Sequence, residues 1–367
     1  MRQSSFSKAA SEPAPQRDAP TDLIAWEMLA SHLSGVGMTL DPPPPQRFTS
    51  GFGNLNYLIY VDGQRAVLRR PPLGPLPPGA NDMARESKIL SSLWRDFPLA
   101  PKCLHFSDDA HIIGAPFFIM EFREGIVIGG DMPPALAGWQ DPDGASAGAV
   151  LGQHMITTLV ALHGIDPASV GLDDLGRPEG FLARTTNGWA KRARLSWDTE
   201  PPPVLDRVLD WLGANQPSEN PAAATLLHND FKLDNVILDP DTLDPIAVID
   251  WDMGTRGDPL HDLAVLLSYW TEADDPPVMH ELNQMPSAGF GFPTRRQIAE
   301  AYSAESGRDL DGLRFFRVLA VLRLAVIFMQ LNRRFRESGG DPRFASFGEL
   351  ANGLLSFADD VSANRYF

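Results

Sequence analysis

The sequence predicts an α+β fold of two lobes, a small β-rich N-terminal lobe and a larger, mostly helical C-terminal one. Three observations carry this. Two short apolar runs, Tyr57 to Val61 and Ala66 to Arg69, are joined by Asp62-Gly63, a dipeptide suited to a tight hairpin turn. Beyond Arg123, apolar residues recur at helical spacing, as in Leu151, Met155, Leu159 and Leu162, and again in Phe315, Leu319, Leu322 and Val326. That helical region is interrupted by a short β-type stretch between Thr225 and Ile249.

Taken in order, residues 1–20 are rich in Ser, Ala, Pro and Gln and read as a disordered leader. Thr21 to Gly35 is a helix candidate, with Leu23, Trp26, Leu29 and Leu33 near a 3.6 period. Asp41-Pro42-Pro43-Pro44-Pro45 breaks it and starts a new unit. The hairpin follows, then a Pro/Gly-rich loop from Pro71 to Gly79 and a helix over Arg85 to Leu93. Pro116 to Phe122 is a further strand, and Arg123-Glu124-Gly125 turns out of it, which divides the chain into lobes over 21–122 and 123–367. The stripe through Leu162 ends at Gly164, and Asp258-Pro259 opens another helix, with Asp as cap and Pro at the first position.

Composition narrows the function. Against 31 basic residues stand 47 acidic ones, a net charge of −16, which argues against a general nucleic-acid binder. The one cysteine, Cys103, excludes an intrachain disulfide and a multi-Cys zinc cage and fits a reducing compartment. The longest apolar helix candidate, Val318 to Met329, is interrupted by Arg323 and is too short to span a bilayer. With no secretion signal read in the leader, the expected location is the cytoplasm.

The chemistry concentrates in Leu227-His228-Asn229-Asp230-Phe231-Lys232-Leu233-Asp234-Asn235 and in Ile249-Asp250-Trp251-Asp252. Phosphoryl transfer needs a carboxylate to orient and deprotonate a hydroxyl, and an amide oxygen and second carboxylate to hold magnesium on the phosphates. Asp230, Asn235 and Asp250 supply these groups in that order. Val236-Ile237-Leu238 and Ile246-Ala247-Val248-Ile249, separated by a Pro/Asp-rich turn, form a hairpin that returns the chain so that Asp250 faces the loop. Lys232, two residues after Asp230, is either a cation that neutralises charge on the transferred phosphate or an exposed loop lysine. His228 is expected to hold the loop through the backbone, and Asp262 to bond the loop backbone from the next helix.

On these residues the chain resembles the aminoglycoside phosphotransferase and choline kinase superfamily, which has a protein-kinase-like fold. Gly257-Asp258-Pro259-Leu260-His261-Asp262-Leu263-Ala264, Leu162-His163-Gly164-Ile165-Asp166, Val170-Gly171-Leu172 and Gly176-Arg177-Pro178 extend the resemblance to the kinase-like domain fused to some acyl-CoA dehydrogenases. The resemblance implies ATP and Mg2+ as cofactors and a nucleotide site in the first lobe. Gly51-Phe52-Gly53-Asn54-Leu55-Asn56 falls at the glycine loop, with Asn56 where a third glycine is usual. Arg69 stands where a phosphate-anchoring lysine is usual, with Glu86 as its expected partner. Glu121 and Phe122 fall where the lobes join, and backbone groups there would pair with adenine.

The acceptor is less legible. Thr271-Glu272-Ala273-Asp274-Asp275 has the carboxylate density that an aminoglycoside requires. Lys191-Arg192-Ala193-Arg194, near Trp189 and Trp197, and Arg333-Arg334-Phe335-Arg336 suit the phosphates of a coenzyme A thioester. The resemblance implies a hydroxy acid or hydroxyacyl-CoA in catabolism, with a functional link to an acyl-CoA dehydrogenase. Kinases of aminoglycosides or other small alcohols, and an inactive kinase-like binding protein, are the alternatives.

Overall fold

Five antiparallel strands, β1 (Leu40–Arg47), β2 (Leu55–Val61), β3 (Gln64–Arg70), β4 (Cys103–Ser107) and β5 (Phe117–Glu121), pair in the order β1-β2-β3-β5-β4 to form the sheet of the first of two units in the computed structural model. The structure describes residues 24–48, 53–72, 81–197, 201–339 and 341–367. One unit runs to Lys88 and resumes over Lys102–Phe122; the other comprises Ile89–Pro101 and Arg123–Phe367. The leader and Leu23 lie outside the described residues.

In the first unit, α1 (Trp26–Gly35) precedes β1 (Leu40–Arg47), β2 (Leu55–Val61) and β3 (Gln64–Arg70). Asp62 and Gly63 both have positive φ, 51° and 74°, as the hairpin turn between β2 and β3 requires. After α2 (Met83–Leu93) come β4 (Cys103–Ser107), α3 (Ala110–Ile113) and β5 (Phe117–Glu121). Leu29 and Leu33 of α1 pack with Ile59, Leu68, Ile113 and Phe117 in one buried cluster. The proline run neither breaks the helix nor starts a new unit: α1 ends at Gly35, six residues before Asp41, and the prolines lie within β1 of the same unit. β1 is an edge strand whose register slips between Asp41 and Gln46, so prolines without N–H groups remove few ladder bonds there.

The second unit opens with α4 (Ala147–His163), α5 (Phe181–Ser196) and α6 (Pro203–Ala214). Four short strands follow: β6 (Thr225–Leu227), β7 (Val236–Leu238), β8 (Pro245–Val248) and β9 (Thr255–Gly257). β7 pairs with β8 as predicted, while β6 pairs with β9, a three-residue strand with no alternation to announce it. Gly125 lies against the β7–β8 hairpin, where a Cβ would stand 2.4 Å from the Leu238 carbonyl oxygen, so only glycine fits. The remaining helices are α7 (Pro259–Tyr269), α8 (Pro277–Leu282), α9 (Arg295–Ser306), α10 (Leu313–Ser338) and α11 (Phe347–Ser362).

α10 corrects an expectation. It has 26 residues and is by length and composition able to cross a membrane, yet 83% of its apolar window is buried inside the protein. Arg323 does not end it, because that guanidinium has a partner described below. Each Leu or Val buried there contributes about 1.5–3 kcal/mol.

Every residue of α7 is buried, His261 included. Its ring meets Phe181 and Phe316 edge-on, with centroids 5.6 and 6.3 Å away. Burial pushes the imidazole pKa down to about 4, the Asp262 carboxylate opposing and Arg323 adding to the shift. The unfolded chain therefore takes up a proton below pH 6.5 that the folded chain refuses until about pH 4. Stability is full above that window and falls through it by about 3 kcal/mol, at about 1.36 kcal/mol per pH unit. Urea midpoints between pH 7 and pH 4 should show this slope, and His261→Leu should flatten it.

Candidate active site

The predicted catalytic residues come together in the second unit. β6 delivers the chain to His228, whose backbone N–H donates to Asp262 Oδ2 at 2.6 Å, while that of Asn229 donates to Oδ1 at 2.7 Å. Asn229 sits at φ 64°, a left-handed conformation that asparagine tolerates better than most residues and that turns the chain sharply before Asp230. His228 Nε2 lies 2.9 Å from the Ile249 carbonyl, and its ring packs on Trp251 at 4.7 Å between centroids. Both His228 and Asp262 thus hold the loop as expected. Behind Asp262, His163 Nε2 is 3.4 Å from Oδ2, and His163 Nδ1 is 2.8 Å from the Tyr302 hydroxyl.

Asp230 is surrounded by donors. The Tyr269 hydroxyl donates to its Oδ1 at 2.7 Å, and Arg323 Nη2 donates to the same oxygen at 2.9 Å. Oδ2 has Asn235 Nδ2 at 3.4 Å and Lys232 Nζ at 3.8 Å. Burial alone would raise this carboxyl, but Arg323, Lys232 and the Tyr269 hydrogen bond outweigh it and hold the group well below the usual carboxylate range. Burial likewise would lower the Lys232 ammonium, and the surrounding Tyr269, Asp230 and Asp234 reverse that and raise it. Lys232 lies 3.1 Å from Asp234 Oδ2.

Asn235 donates its amide nitrogen to the Asp230 carbonyl at 2.8 Å, which leaves its oxygen, the atom a hard cation takes. The Ile249 N–H donates to the Asn235 carbonyl at 2.9 Å, tying the segment before Asp250 to the loop. Asp250 itself is left-handed, with φ 67° and ψ 60°. Among the described residues no group of three or more His, Cys, Asp and Glu could hold a metal ion. Magnesium on a nucleotide needs less, one or two protein groups besides the phosphates and water.

The first unit holds the predicted nucleotide residues. Asn56 and Arg69 face each other across β2 and β3. Arg69 Nε donates to Glu86 Oε2 at 2.9 Å; the residues are 5% and 1% exposed, so this is a buried ion pair. Arg69 Nη1 donates to Asn56 Oδ1 at 3.4 Å, and the Asn54 amide oxygen, turned toward the guanidinium, accepts from Nη2 at 2.8 Å. Gly53 stands just before β2 with open space where a Cβ would be, and Gly51 lies outside the described residues. Glu121 ends β5, its N–H donating to the Lys102 carbonyl and its side chain accepting from the Lys102 N–H at 3.1 Å. A donor for adenine must therefore come from another residue. Phe122 lies under the Arg65 guanidinium, 4.5 Å from ring centre to Cζ.

Replacing Arg69 with Met is expected to raise KM for the nucleotide at least tenfold and to cost about 3–5 kcal/mol by leaving Glu86 without its guanidinium. The double variant Arg69→Met with Glu86→Leu should recover stability but not nucleotide affinity. Thermal melts and initial rates against nucleotide concentration separate the two.

Three features escaped sequence reasoning. Arg323 is 93 residues from Asp230 and was visible only as a charge in an apolar stripe, while Tyr269 reads as one more apolar position at the end of α7. The third is Arg295, wholly buried, whose Nη2 bonds Glu272 at 2.9 Å and Asp275 at 2.5 Å. The carboxylate-rich segment is accordingly a structural ion-pair cluster, with Asp274 as the carboxylate not engaged by Arg295.

A small antiparallel sheet unit and a larger helical unit carrying this loop define a protein-kinase-like fold. The chain belongs to the phosphotransferase enzyme family, whose family model matches residues 45–300. It is 28% identical over 352 residues to mouse acyl-CoA dehydrogenase family member 10, covering 95% of this chain and 32% of that protein. With mouse acyl-CoA dehydrogenase family member 11 the identity is 31% over 311 residues, covering 84% and 38%. The chain thus spans about a third of the length of the curated relatives it matches. A crystal structure from Ralstonia eutropha, assigned as an aminoglycoside phosphotransferase, shares the fold at TM-score 0.74 and 23% identity, covering 93% of this chain and 99% of that one.

Proposed function

We propose that this chain uses ATP and magnesium to phosphorylate the hydroxyl of a hydroxy acid or hydroxyacyl-CoA. In this reading Asp230 orients the hydroxyl and accepts its proton. The hydroxyl oxygen bonds to the γ-phosphorus, the bond from that phosphorus to its bridging oxygen breaks, and ADP leaves with the electron pair. Lys232 stabilises the transferring group, and Asn235 and Asp250 would hold magnesium, which when bound offsets charge on the phosphates. Arg69, held by Glu86, anchors phosphate oxygens, with Gly53, Asn54 and Asn56 at the adjoining loop.

The observation that carries the choice of acceptor is the engagement of both Glu272 and Asp275 in ion pairs with the buried Arg295. A polycationic aminoglycoside needs carboxylates that are not already satisfied. Basic residues support an anionic acceptor instead: Lys191, Arg192 and Arg194 are exposed at the end of α5, which Arg333 of α10 joins through the Leu195 carbonyl at 2.7 Å. Arg333 follows Arg323 by ten residues, about 15 Å along the helix, which matches the scale of an extended pantetheine arm between a reacting hydroxyl and the coenzyme's phosphates. Phosphorylation would make the hydroxyl a leaving group for elimination, a step whose alkene product belongs with acyl-CoA dehydrogenase chemistry. The lone thiol Cys103 fits a cytoplasmic setting.

The test is ADP release with Mg-ATP across hydroxy acids, hydroxyacyl-CoA esters and aminoglycosides, with Asp230→Asn as control. ADP that depends on a hydroxyacyl acceptor and vanishes in the variant supports the proposal. Turnover of kanamycin-type compounds alone overturns the acceptor, and saturable nucleotide binding without turnover favours a binding protein.

A further inference from the structure

We propose that Tyr269 and Arg323 are positioning residues that together hold Oδ1 of Asp230, so that Oδ2 is the oxygen presented to the acceptor hydroxyl. The inference rests on the reading of Asp230 as the group that receives that hydroxyl. A carboxylate on a loop turns freely about its side-chain bonds, and an acceptor presented in the wrong direction loses rate steeply, about a hundredfold for a misplacement of 1 Å. Here the two oxygens are not equivalent. Oδ1 takes the hydroxyl of Tyr269 at 2.7 Å and the guanidinium of Arg323 at 2.9 Å, whereas Oδ2 has only the longer approaches of Asn235 and Lys232, at 3.4 and 3.8 Å.

Packing explains neither the Arg323 guanidinium nor the Tyr269 hydroxyl. Arg323 is 4% exposed on a helix where Leu319, Leu322, Leu324 and Val326 are all at most 2% exposed. A guanidinium buried in such a stripe costs several kcal/mol unless it is paired, and an apolar residue of like volume would serve the core as well or better. Among the described residues its ion-pair partner is Asp230, and its Nη1 finds no hydrogen-bond acceptor. The guanidinium therefore serves this carboxylate together with the Tyr269 hydroxyl, which it also meets. Tyr269 ends α7, seven residues after Asp262, and two turns of helix put both on one face. α7 thus grips the loop twice, by the backbone at His228 and Asn229 and by the carboxylate of Asp230. The Tyr269 ring also lies under Lys232 Nζ, at 5.2 Å, and so fixes both polar groups that face the transfer.

The experiment compares Tyr269→Phe, Arg323→Met, Arg323→Lys and Asp230→Asn with the parent enzyme, using Mg-ATP and 3-hydroxyoctanoyl-CoA, and Mg-ATP alone with water as acceptor. It reads kcat, both KM values, and phosphorylated acceptor formed per ADP. Tyr269→Phe should lower kcat about tenfold and Arg323→Met about a hundredfold, with KM for ATP unchanged, as expected when an interaction made in the transition state is lost. The yield of phosphorylated acceptor per ADP should fall as water competes, and Arg323→Lys should recover part of both losses. Tyr269→Phe keeps the ring in its packing and decides the matter if Arg323→Met fails to fold. Unchanged kcat and coupling in a folded Tyr269→Phe, with Asp230→Asn inactive, overturns this inference while leaving Asp230's role standing. An active Asp230→Asn overturns both.

Discussion

Asp230→Asn is expected to lower kcat by about 10²–10⁴-fold, the range that a positioned general base contributes, while leaving nucleotide binding within about twofold. The substitution keeps an oxygen to accept from Tyr269 and Arg323, so the geometry around the loop should survive. What it removes is the negative charge between the buried Arg323 and the half-buried Lys232. Asp234 remains as an anion for Lys232, whereas Arg323 loses its carboxylate. Stability should therefore fall by about 3 kcal/mol, at the low end for breaking a buried pair. Rates must be measured well below the variant's melting temperature, which circular dichroism supplies. A rate within threefold of the parent, in a folded variant that binds nucleotide, would remove Asp230 from the chemistry.

The candidate catalytic loop was legible because the residues that define it are local. His228, Asp230, Lys232 and Asn235 lie within eight consecutive residues, and Asp250 follows a hairpin whose turn residues announce it. Backbone geometry within such a segment follows from the order of residue types alone. The hairpin of β2 and β3 and the cap of α7 were legible for the same reason. What was not legible depends on partners far apart in the chain. Nothing in the periodicity of α10 says that Arg323 meets a carboxylate 93 residues earlier. Likewise a run of Glu and Asp on a loop has the same composition whether it faces solvent or, as here, a buried arginine twenty residues on. Edge and three-residue strands such as β1 and β9 carry too few residues, or too many prolines, for alternation to register. A charge inside an apolar helical stripe is the one sequence signal that would have found Arg323, and it points to a site because burial without a partner is so unfavourable.

The same logic makes Asp262→Ala the most damaging change outside the reacting groups. Asp262 is completely buried and accepts from two successive backbone N–H groups, His228 at 2.6 Å and Asn229 at 2.7 Å, with His163 behind it. Burial would raise its carboxyl, and the hydrogen bonds and the neighbouring His163 and His228 prevail and lower it, so it holds the loop as an anion. Alanine would leave two backbone donors unsatisfied in the interior at about 1–3 kcal/mol each, with a cavity besides. A loss of about 4–6 kcal/mol is comparable with the whole stability of many domains, so much of the variant should be unfolded at 37 °C. In whatever fraction folds, Asn229 loses the bond that keeps it left-handed and Asp230 loses its approach to Tyr269 and Arg323. The expected result is a urea midpoint shifted well below that of Asp230→Asn and a kcat, corrected for folded protein, at least a hundredfold below the parent. Asp262→Asn separates backbone holding from charge: its amide offers one oxygen to two N–H groups, so it should fall between alanine and aspartate in both measurements. A variant with parent-like kcat and midpoint would mean that the loop is held by Trp251 and the strands alone.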